Sequence, residues 1–217
     1  MREAEWFHRA VIAHREAAAA YRRAGDPGGE GAALDALGLA LQQAERYDEA
    51  VLAHTDAATV LQGAGDPCGR AEALDNLGLA HQGADRYEEA VAAHMRAAAL
   101  YSENGDRNGE GRACGNLGLA LQGVGRFEEA VEYHVRGLEA FRETGDAAGE
   151  AGALDTLGLA LQEVERFEDA ITAHARAADL FRETGDAEGE ADALHNLGLA
   201  HQSAGISRRF RRRPPRL

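Results

Sequence analysis

Apolar side chains recur along the chain at intervals of three and four residues. One stretch carries Ala33, Leu34, Leu37 and Leu41, and a second begins at Tyr47 with the same spacing. This spacing places the apolar residues on one face of an α-helix. The pattern therefore predicts a series of amphipathic helices, each roughly 17 residues or about 25 Å long.

The helical stretches follow a 40-residue period without insertions or deletions. Gly-Asp recurs at 25–26, 65–66, 105–106, 145–146 and 185–186, and Leu-Gly-Leu-Ala recurs at 37–40, 77–80, 117–120, 157–160 and 197–200. An aromatic residue, an alanine and a histidine also recur in each period. A fixed period of this length is typical of proteins built from stacked structural repeats.

Each period is predicted to hold two helices. Asp26 suits the N-cap, Pro27 suits the first helical position, and Gly65 suits the left-handed conformation that closes a helix. The link at 44–46 is so short that the two helices must pack antiparallel. One hairpin cannot bury both apolar faces, whereas stacked hairpins can.

We therefore expect an all-α solenoid of antiparallel helix pairs. The array is predicted over residues 1–205 and is followed by an arginine-rich tail. Its expected parts are a lone helix at 4–24, helix pairs at about 27–64, 67–104, 107–144 and 147–184, a lone helix at 187–204, and the tail at 206–217.

The spacing of Leu37-Gly38, Tyr47, Ala50 and Ala57 resembles the tetratricopeptide repeat (TPR). The match recurs in later periods, and the 40-residue length is most similar to the subclass in Pins/LGN spindle-orientation adaptors. Kinesin light chain is a more distant relative, and similar arrays occur in bacterial regulators beside nucleotide-binding domains. The resemblance implies a right-handed superhelix with the first helix of each pair lining a concave groove.

The composition narrows the class of partner and the source. All 23 basic residues are arginine, which indicates a GC-rich, bacterial genome, and 37 acidic residues give a net charge of −14. An acidic surface argues against nucleic-acid binding. The sequence shows no secretory signal and no membrane-spanning run, so we expect a cytoplasmic protein.

The tail differs in charge from the rest of the chain. Residues 208–217 hold six arginines, while the remaining 17 arginines and 37 acidic residues give residues 1–207 a formal charge of −20. The repeat stops mid-unit after Gly205, so the chain is a fragment of a longer array, a frameshifted product or an array with a genuine basic tail. Such a tail binds nucleic acid, docks into an acidic groove or lacks order.

Five histidines occupy one position of the repeat, which raises the question of a metal ladder. Equivalent residues in stacked helices lie about 8–10 Å apart, too far to share a zinc ion. We expect packed, neutral rings with lowered pKa values and a loss of stability between about pH 6.5 and 5. The five are His14, His54, His94, His134 and His174.

The other reactive residue types show no catalytic pattern. Cys114 replaces a core leucine, Cys68 has no histidine partner, and no nucleophile or phosphate-loop motif occurs. We therefore predict a protein that is not an enzyme and needs no metal or cofactor.

The TPR resemblance implies that polar positions around Leu-Gly contact a ligand. Asn and Gln amides both donate and accept, which suits the backbone of an extended peptide, and the aspartates favour a basic one. The alternative is that these residues are ordinary solvated positions. The predicted peptide-binding residues are Asp35, Gln42, Asp75, Asn76, Gln82, Arg112, Asn116, Gln122, Asp155, Gln162 and Asn196.

The expected function is a scaffold that holds an extended or helical, basic peptide in its concave groove. A second possibility is self-assembly, because unmatched half-repeats at both ends expose apolar faces. A third is a sensor fragment of a larger nucleotide-dependent regulator.

Overall fold

The computed structural model describes residues 2–211, with side chains from 5 to 208. Every regular element in this range is an α-helix, and consecutive helices pack side by side. The ten helices are α1 (Arg2–Ala24), α2 (Pro27–Gln43), α3 (Tyr47–Ala64), α4 (Pro67–Gly83), α5 (Tyr87–Glu103), α6 (Arg107–Gly123), α7 (Phe127–Thr144), α8 (Ala147–Glu163), α9 (Phe167–Thr184) and α10 (Ala187–Arg211).

The helices form four pairs with one unpaired helix on each side. We number the pairs as repeats 1 to 4: α2–α3, α4–α5, α6–α7 and α8–α9. The first helix of each pair, together with α10, is an A helix. The second helix of each pair, together with α1, is a B helix.

Aspartate side chains start the A helices as predicted. Asp26 accepts a hydrogen bond from the backbone N–H of Gly29 at 3.0 Å, and Asp66 accepts one from Gly69 at 2.9 Å. The same bond forms at Asp106, Asp146 and Asp186. Each bond satisfies a backbone donor that the helix itself leaves free.

Left-handed residues make both kinds of turn. Gly65 closes α3 with φ at +71°. The turn from an A helix to its B helix also needs positive φ, and it uses Glu45, Asp85 and Glu165 at +57° to +58° but Gly125 at +76° in repeat 3. The first three bear a steric cost that the glycine avoids.

Glycine on the A helix permits close contact with the B helix of the same repeat. A Cβ atom built at Gly38 would lie 2.4 Å from the His54 ring, and one at Gly78 would lie 2.4 Å from the His94 ring. Repeats 3 and 4 have the same contact. The histidine ring thus takes the volume that a larger A-helix side chain would occupy.

Contacts between repeats define an inner and an outer layer. Each A helix contacts the A helix of the next repeat, whereas no two B helices of the described residues approach within 8 Å between Cα atoms. The A helices are therefore closer together, and the array curves with the A helices on its concave side.

The last helix differs from the prediction. The A helices of the four pairs end near residues 43, 83, 123 and 163, but α10 continues through Gly205 to Arg211. Residues 206–211 lack the aromatic and the alanine at the spacing that begins a B helix, and in the described part of the chain they continue α10. Residues 212–217 of the proposed tail lie outside the described residues.

No described helix combines the length and apolar character needed to cross a membrane.

Candidate functional site

A column of exposed leucines follows the concave side of the A helices. Each A helix buries the face that meets the B layer, so positions such as Ala32, Ala36 and Leu39 point away from it. The leucine column consists of Leu39, Leu79, Leu119, Leu159 and Leu199, which are 36–42% exposed. These five side chains form an apolar strip along the groove.

A second column is polar and joins each repeat to the next. In repeat 1, Nδ1 of His54 lies 2.6 Å from Oδ1 of Asp35, and Asn76 of the next A helix donates to Oδ2 of Asp35 at 2.9 Å. The aspartate thus bridges the B helix of its own repeat and the A helix of the following repeat.

The same bridge recurs in repeats 2 and 4. Asp75 lies 2.7 Å from Nδ1 of His94 and accepts from Asn116 at 3.3 Å. Asp155 lies 2.6 Å from Nδ1 of His174 and accepts from Asn196 at 3.1 Å. The carboxylate charge is therefore held between helices by two donors.

Three of the predicted glutamines contact the other nitrogen of the histidine ring. Nε2 of His94 lies 3.3 Å from Oε1 of Gln82. Nε2 of His134 lies 3.0 Å from the amide nitrogen of Gln122, and Nε2 of His174 lies 3.1 Å from the amide nitrogen of Gln162. Gln42 instead donates to the backbone carbonyl of Asn76 at 3.1 Å. As a result, Nε2 of His54 has no partner.

Repeat 3 breaks the polar column. Gly115 stands where the other repeats have aspartate. Thr156 stands where the A helix that follows each of those aspartates has asparagine. The Thr156 hydroxyl donates to its own helix backbone at 3.1 Å. His134 is 1% exposed, and its Nδ1 has no hydrogen-bond partner.

Burial lowers the pKa of His134 from 6.5 to about 4. No carboxylate offsets that effect, because the partner position is Gly115. The expectation of a packed, neutral ring therefore holds at His134. At His14 the expected burial is incomplete, and the described residues hold no A helix before α1 that would cover the ring.

Arg112 is the basic member of the predicted site residues. Its guanidinium donates to the Tyr101 hydroxyl at 3.0 Å, lies over the Tyr101 ring and comes within 3.6 Å of Asp75. Burial raises the pKa of Tyr101 to about 12, so the phenol stays protonated as a neutral partner of the arginine.

The two cysteines lie in different surroundings. Cys114 is fully buried as predicted, and burial raises the pKa of its thiol to about 11. Cys68 is exposed. Within the described part of the chain, no three His, Cys, Asp or Glu side chains come together in a way that could hold a metal ion.

Models of one repeat family match three segments of the sequence. Both are described as "Tetratricopeptide repeat", and they match residues 33–67, 69–143 and 149–205. The chain belongs to the tetratricopeptide repeat family. A comparison with curated proteins finds no match.

Solved structures show the same TPR-like solenoid. BtubC (BKLC) from P. vanneervenii is 18% identical with a TM-score of 0.67, covering 100% of this chain and 95% of that one. A putative kinesin light chain from P. anserina with nearly identical TPR-like repeats is 18% identical with a TM-score of 0.70. The match covers 84% of this chain and 90% of that one. A Rap protein complexed with Competence and Sporulation Factor is 16% identical at 0.65, covering 84% of this chain and 50% of that one.

The predicted TPR site residues lie close together but mostly bond to one another. The aspartates, asparagines and glutamines form the polar column, and Asp75 is only 3% exposed. Sequence reasoning missed the histidine partner of each aspartate. The offset was visible, because Asp35, Asp75 and Asp155 each precede a histidine by 19 residues.

Sequence reasoning also missed the leucine column. The signal is the second leucine of Leu-Gly-Leu-Ala, which follows the buried Leu-Gly by one residue. A step of one residue rotates a helical position by about 100°, which takes the side chain out of the buried face.

Proposed function

We propose that this TPR array is a non-enzymatic scaffold that binds a peptide segment in its concave groove. The segment presents apolar side chains to the leucine column and carries basic residues beside them. The observation that supports the proposal most directly is the exposure of one leucine per A helix over five successive A helices.

Burial of the exposed leucines against a ligand would contribute free energy to binding. Burial of a large aliphatic side chain contributes about 1.5–3 kcal/mol. These leucines are partly covered already, so each contributes less than a fully exposed one. Two or three such contacts still change an affinity by one to several factors of ten.

The charge of the body favours a basic segment. Residues 1–207 carry a formal charge of −20, and Glu72 and Asp192, which stand at the repeat position of Ala32 on the concave side, are exposed. Arginine or lysine beside the apolar anchors would therefore be attracted, while an acidic peptide would be repelled along most of the groove.

A selection experiment tests the proposal directly. Peptides selected from a random display library on the intact chain should combine leucine-like residues with arginine or lysine. Binding of one selected peptide is then measured by fluorescence anisotropy with the Leu79→Ser and Leu119→Ser variants. We expect each variant to weaken binding about tenfold.

The matched controls are Leu52→Ser and Met95→Ser, which change exposed apolar residues of B helices. They should leave the affinity within about twofold of the unchanged chain. Equal losses in both pairs of variants, or a selected peptide without apolar residues, would contradict the proposal.

A second candidate function is self-association through α10. Leu194 is 45% exposed, whereas Leu34, Leu74 and Leu154 at the same position are 1–7% exposed. A B helix from another copy would cover this face. Sedimentation velocity over a range of concentrations should then show association that Leu194→Ser abolishes, and a concentration-independent monomer would exclude it.

A further inference from the structure

We propose that the groove takes one carboxylate of its partner at Gly115, where it accepts a hydrogen bond from Nδ1–H of His134. This inference rests on the proposed peptide-binding function. It names one place in the groove that favours an acidic group, whereas the rest of the groove favours basic ones. The partner is then apolar and basic along most of its length, with one acidic group opposite repeat 3.

The other repeats show what this place is shaped to hold. In repeats 1, 2 and 4 an aspartate carboxylate lies 2.6–2.7 Å from the equivalent histidine Nδ1. The A and B helices are spaced by the same glycine–histidine contact in all four repeats. A carboxylate therefore fits beside the ring in this packing, and repeat 3 has no such group of its own.

The tautomer of His134 leaves a donor without an acceptor. The amide nitrogen of Gln122 lies 3.0 Å from Nε2 of His134. Because an amide nitrogen only donates, this orientation makes Nε2 the acceptor and puts the proton of the neutral ring on Nδ1. That N–H is buried and has no partner. An unmade buried hydrogen bond is unfavourable, and a ligand that accepts the bond removes this cost.

The place opens toward the concave side. A Cβ atom built at Gly115 would have nothing within 4 Å. Position 115 precedes Asn116, which stands at the repeat position of Ala36 on the concave side. The side chains of Asp35 and Asp155 at the position of Gly115 are 13% and 17% exposed, while that of Asp75, which Arg112 approaches, is 4% exposed. An outside carboxylate would occupy the place where the carboxyl groups of those side chains lie.

The charges around Gly115 also favour an anion more than elsewhere in the groove. The main difference is that repeat 3 lacks the bridging aspartate. The guanidinium of Arg112, one helical turn earlier, already lies 3.6 Å from Asp75. The Thr156 hydroxyl, which stands in the place of the asparagine, bonds to the backbone of its own helix, so Nδ1–H of His134 is the donor that remains free.

Formate is the simplest probe, because it is a carboxylate with no other side chain. We expect formate at constant ionic strength and pH 7 to move the Nδ1–H proton signal of His134 downfield in NMR spectra. The response should saturate with a dissociation constant on the order of 10–100 mM, as one charge-assisted hydrogen bond allows. Chloride at the same concentration should have no effect.

Two variants make the experiment specific. Gly115→Asp supplies an internal carboxylate and should abolish the formate response, while Gly115→Ala leaves the place open and should retain it. A His134 signal that ignores formate in the unchanged chain, or a response that persists in Gly115→Asp, would overturn the proposal. Neither NMR measurement uses a peptide. The carboxylate proposal can therefore fail while the proposed binding of peptides in the groove remains supported.

Capped amino acids identify the source of the carboxylate. N-acetyl-aspartate with an amidated carboxyl group offers a side-chain carboxylate, and N-acetyl-alanine offers a chain terminus. We expect a response to the first, as in repeats 1, 2 and 4. A response to N-acetyl-alanine alone would overturn the side-chain form and assign the place to a peptide C-terminus.

Discussion

At the scale of single residues, the four buried histidines differ in the group that faces Nδ1. Three face an aspartate and one faces Gly115, while the glycine behind each ring is the same. The difference decides whether the ring donates to a carboxylate or keeps an unmade hydrogen bond. Sequence identity between repeats thus conceals a difference in chemistry at a single position.

The pH dependence of stability should follow from His134. Its folded pKa of about 4 lies below the unfolded value of 6.5, so between these values the unfolded chain binds a proton that the folded chain does not. The stabilising contribution is complete above about pH 6.5 and is lost as the pH falls toward 4, by up to about 3 kcal/mol. Thermal unfolding at pH 7 and pH 4.5 measures the loss.

Gly115→Asp should reduce that loss because a carboxylate beside the ring raises its pKa. The control is Gly152→Asp, which adds the same charge on an A helix at a position where α10 carries Asp192. An equal pH dependence in the unchanged chain and in Gly115→Asp would contradict the assignment to His134.

At the scale of elements, the contact of an A helix with its B helix depends on one glycine. Gly78 faces the His94 ring, whereas Gly198 of α10 occupies the same motif position with nothing within 4 Å. The same residue is therefore a packing requirement in one helix and only a flexible residue in the other.

Alanine at these two positions should have opposite effects. Gly78→Ala forces a Cβ against the ring and should cost about 1–3 kcal/mol. Gly198→Ala adds helix propensity without a contact and should gain about 0.5–1 kcal/mol. Urea unfolding of both variants measures the difference, and effects of the same sign would show that ring contact does not decide the role of the glycine.

The turn from A helix to B helix offers a second comparison between repeats. Glu165 adopts a φ of +57° that glycine adopts without steric cost, as Gly125 does at +76°. Glu165→Gly should therefore stabilise the chain by about 0.5–1 kcal/mol, and Gly125→Glu should destabilise it by a similar amount. Urea midpoints measure both changes, and a shift in the same direction for both would contradict the argument.

At the scale of the whole molecule, the fold could be predicted from the sequence more completely than the site. The turn residues Asp26 and Gly65 act locally, so their pattern predicts helix ends correctly. The bridge from His54 through Asp35 to Asn76 joins three helices, and its geometry depends on packing that no local pattern contains. The extension of α10 past Gly205 to Arg211 was likewise not predicted, because the local pattern ends a helix at 204.

Repeat 3 is also where the array divides, because α7 and α8 have the least contact of any consecutive helices in the described residues. One cluster of buried apolar residues runs from Val11 to Cys114 and another from Val131 to Ala200, with a small cluster around Leu117 and Ala130 between them. The polar bridge from repeat 3 to repeat 4 is absent as well. Repeat arrays unfold according to the strength of contacts between neighbouring units.

Restoring the bridge should make the array unfold more cooperatively. Gly115→Asp with Thr156→Asn rebuilds the histidine–aspartate–asparagine arrangement of the other repeats, and a double-mutant cycle should show a favourable coupling of about 1 kcal/mol. Native-state hydrogen exchange should show residues 147–211 opening at a lower free energy than residues 27–104 in the unchanged chain. The double variant should narrow that gap because opening then also breaks the new bridge. Additive effects of the two substitutions, together with an unchanged gap, would show that the polar bridge does not couple one repeat to the next.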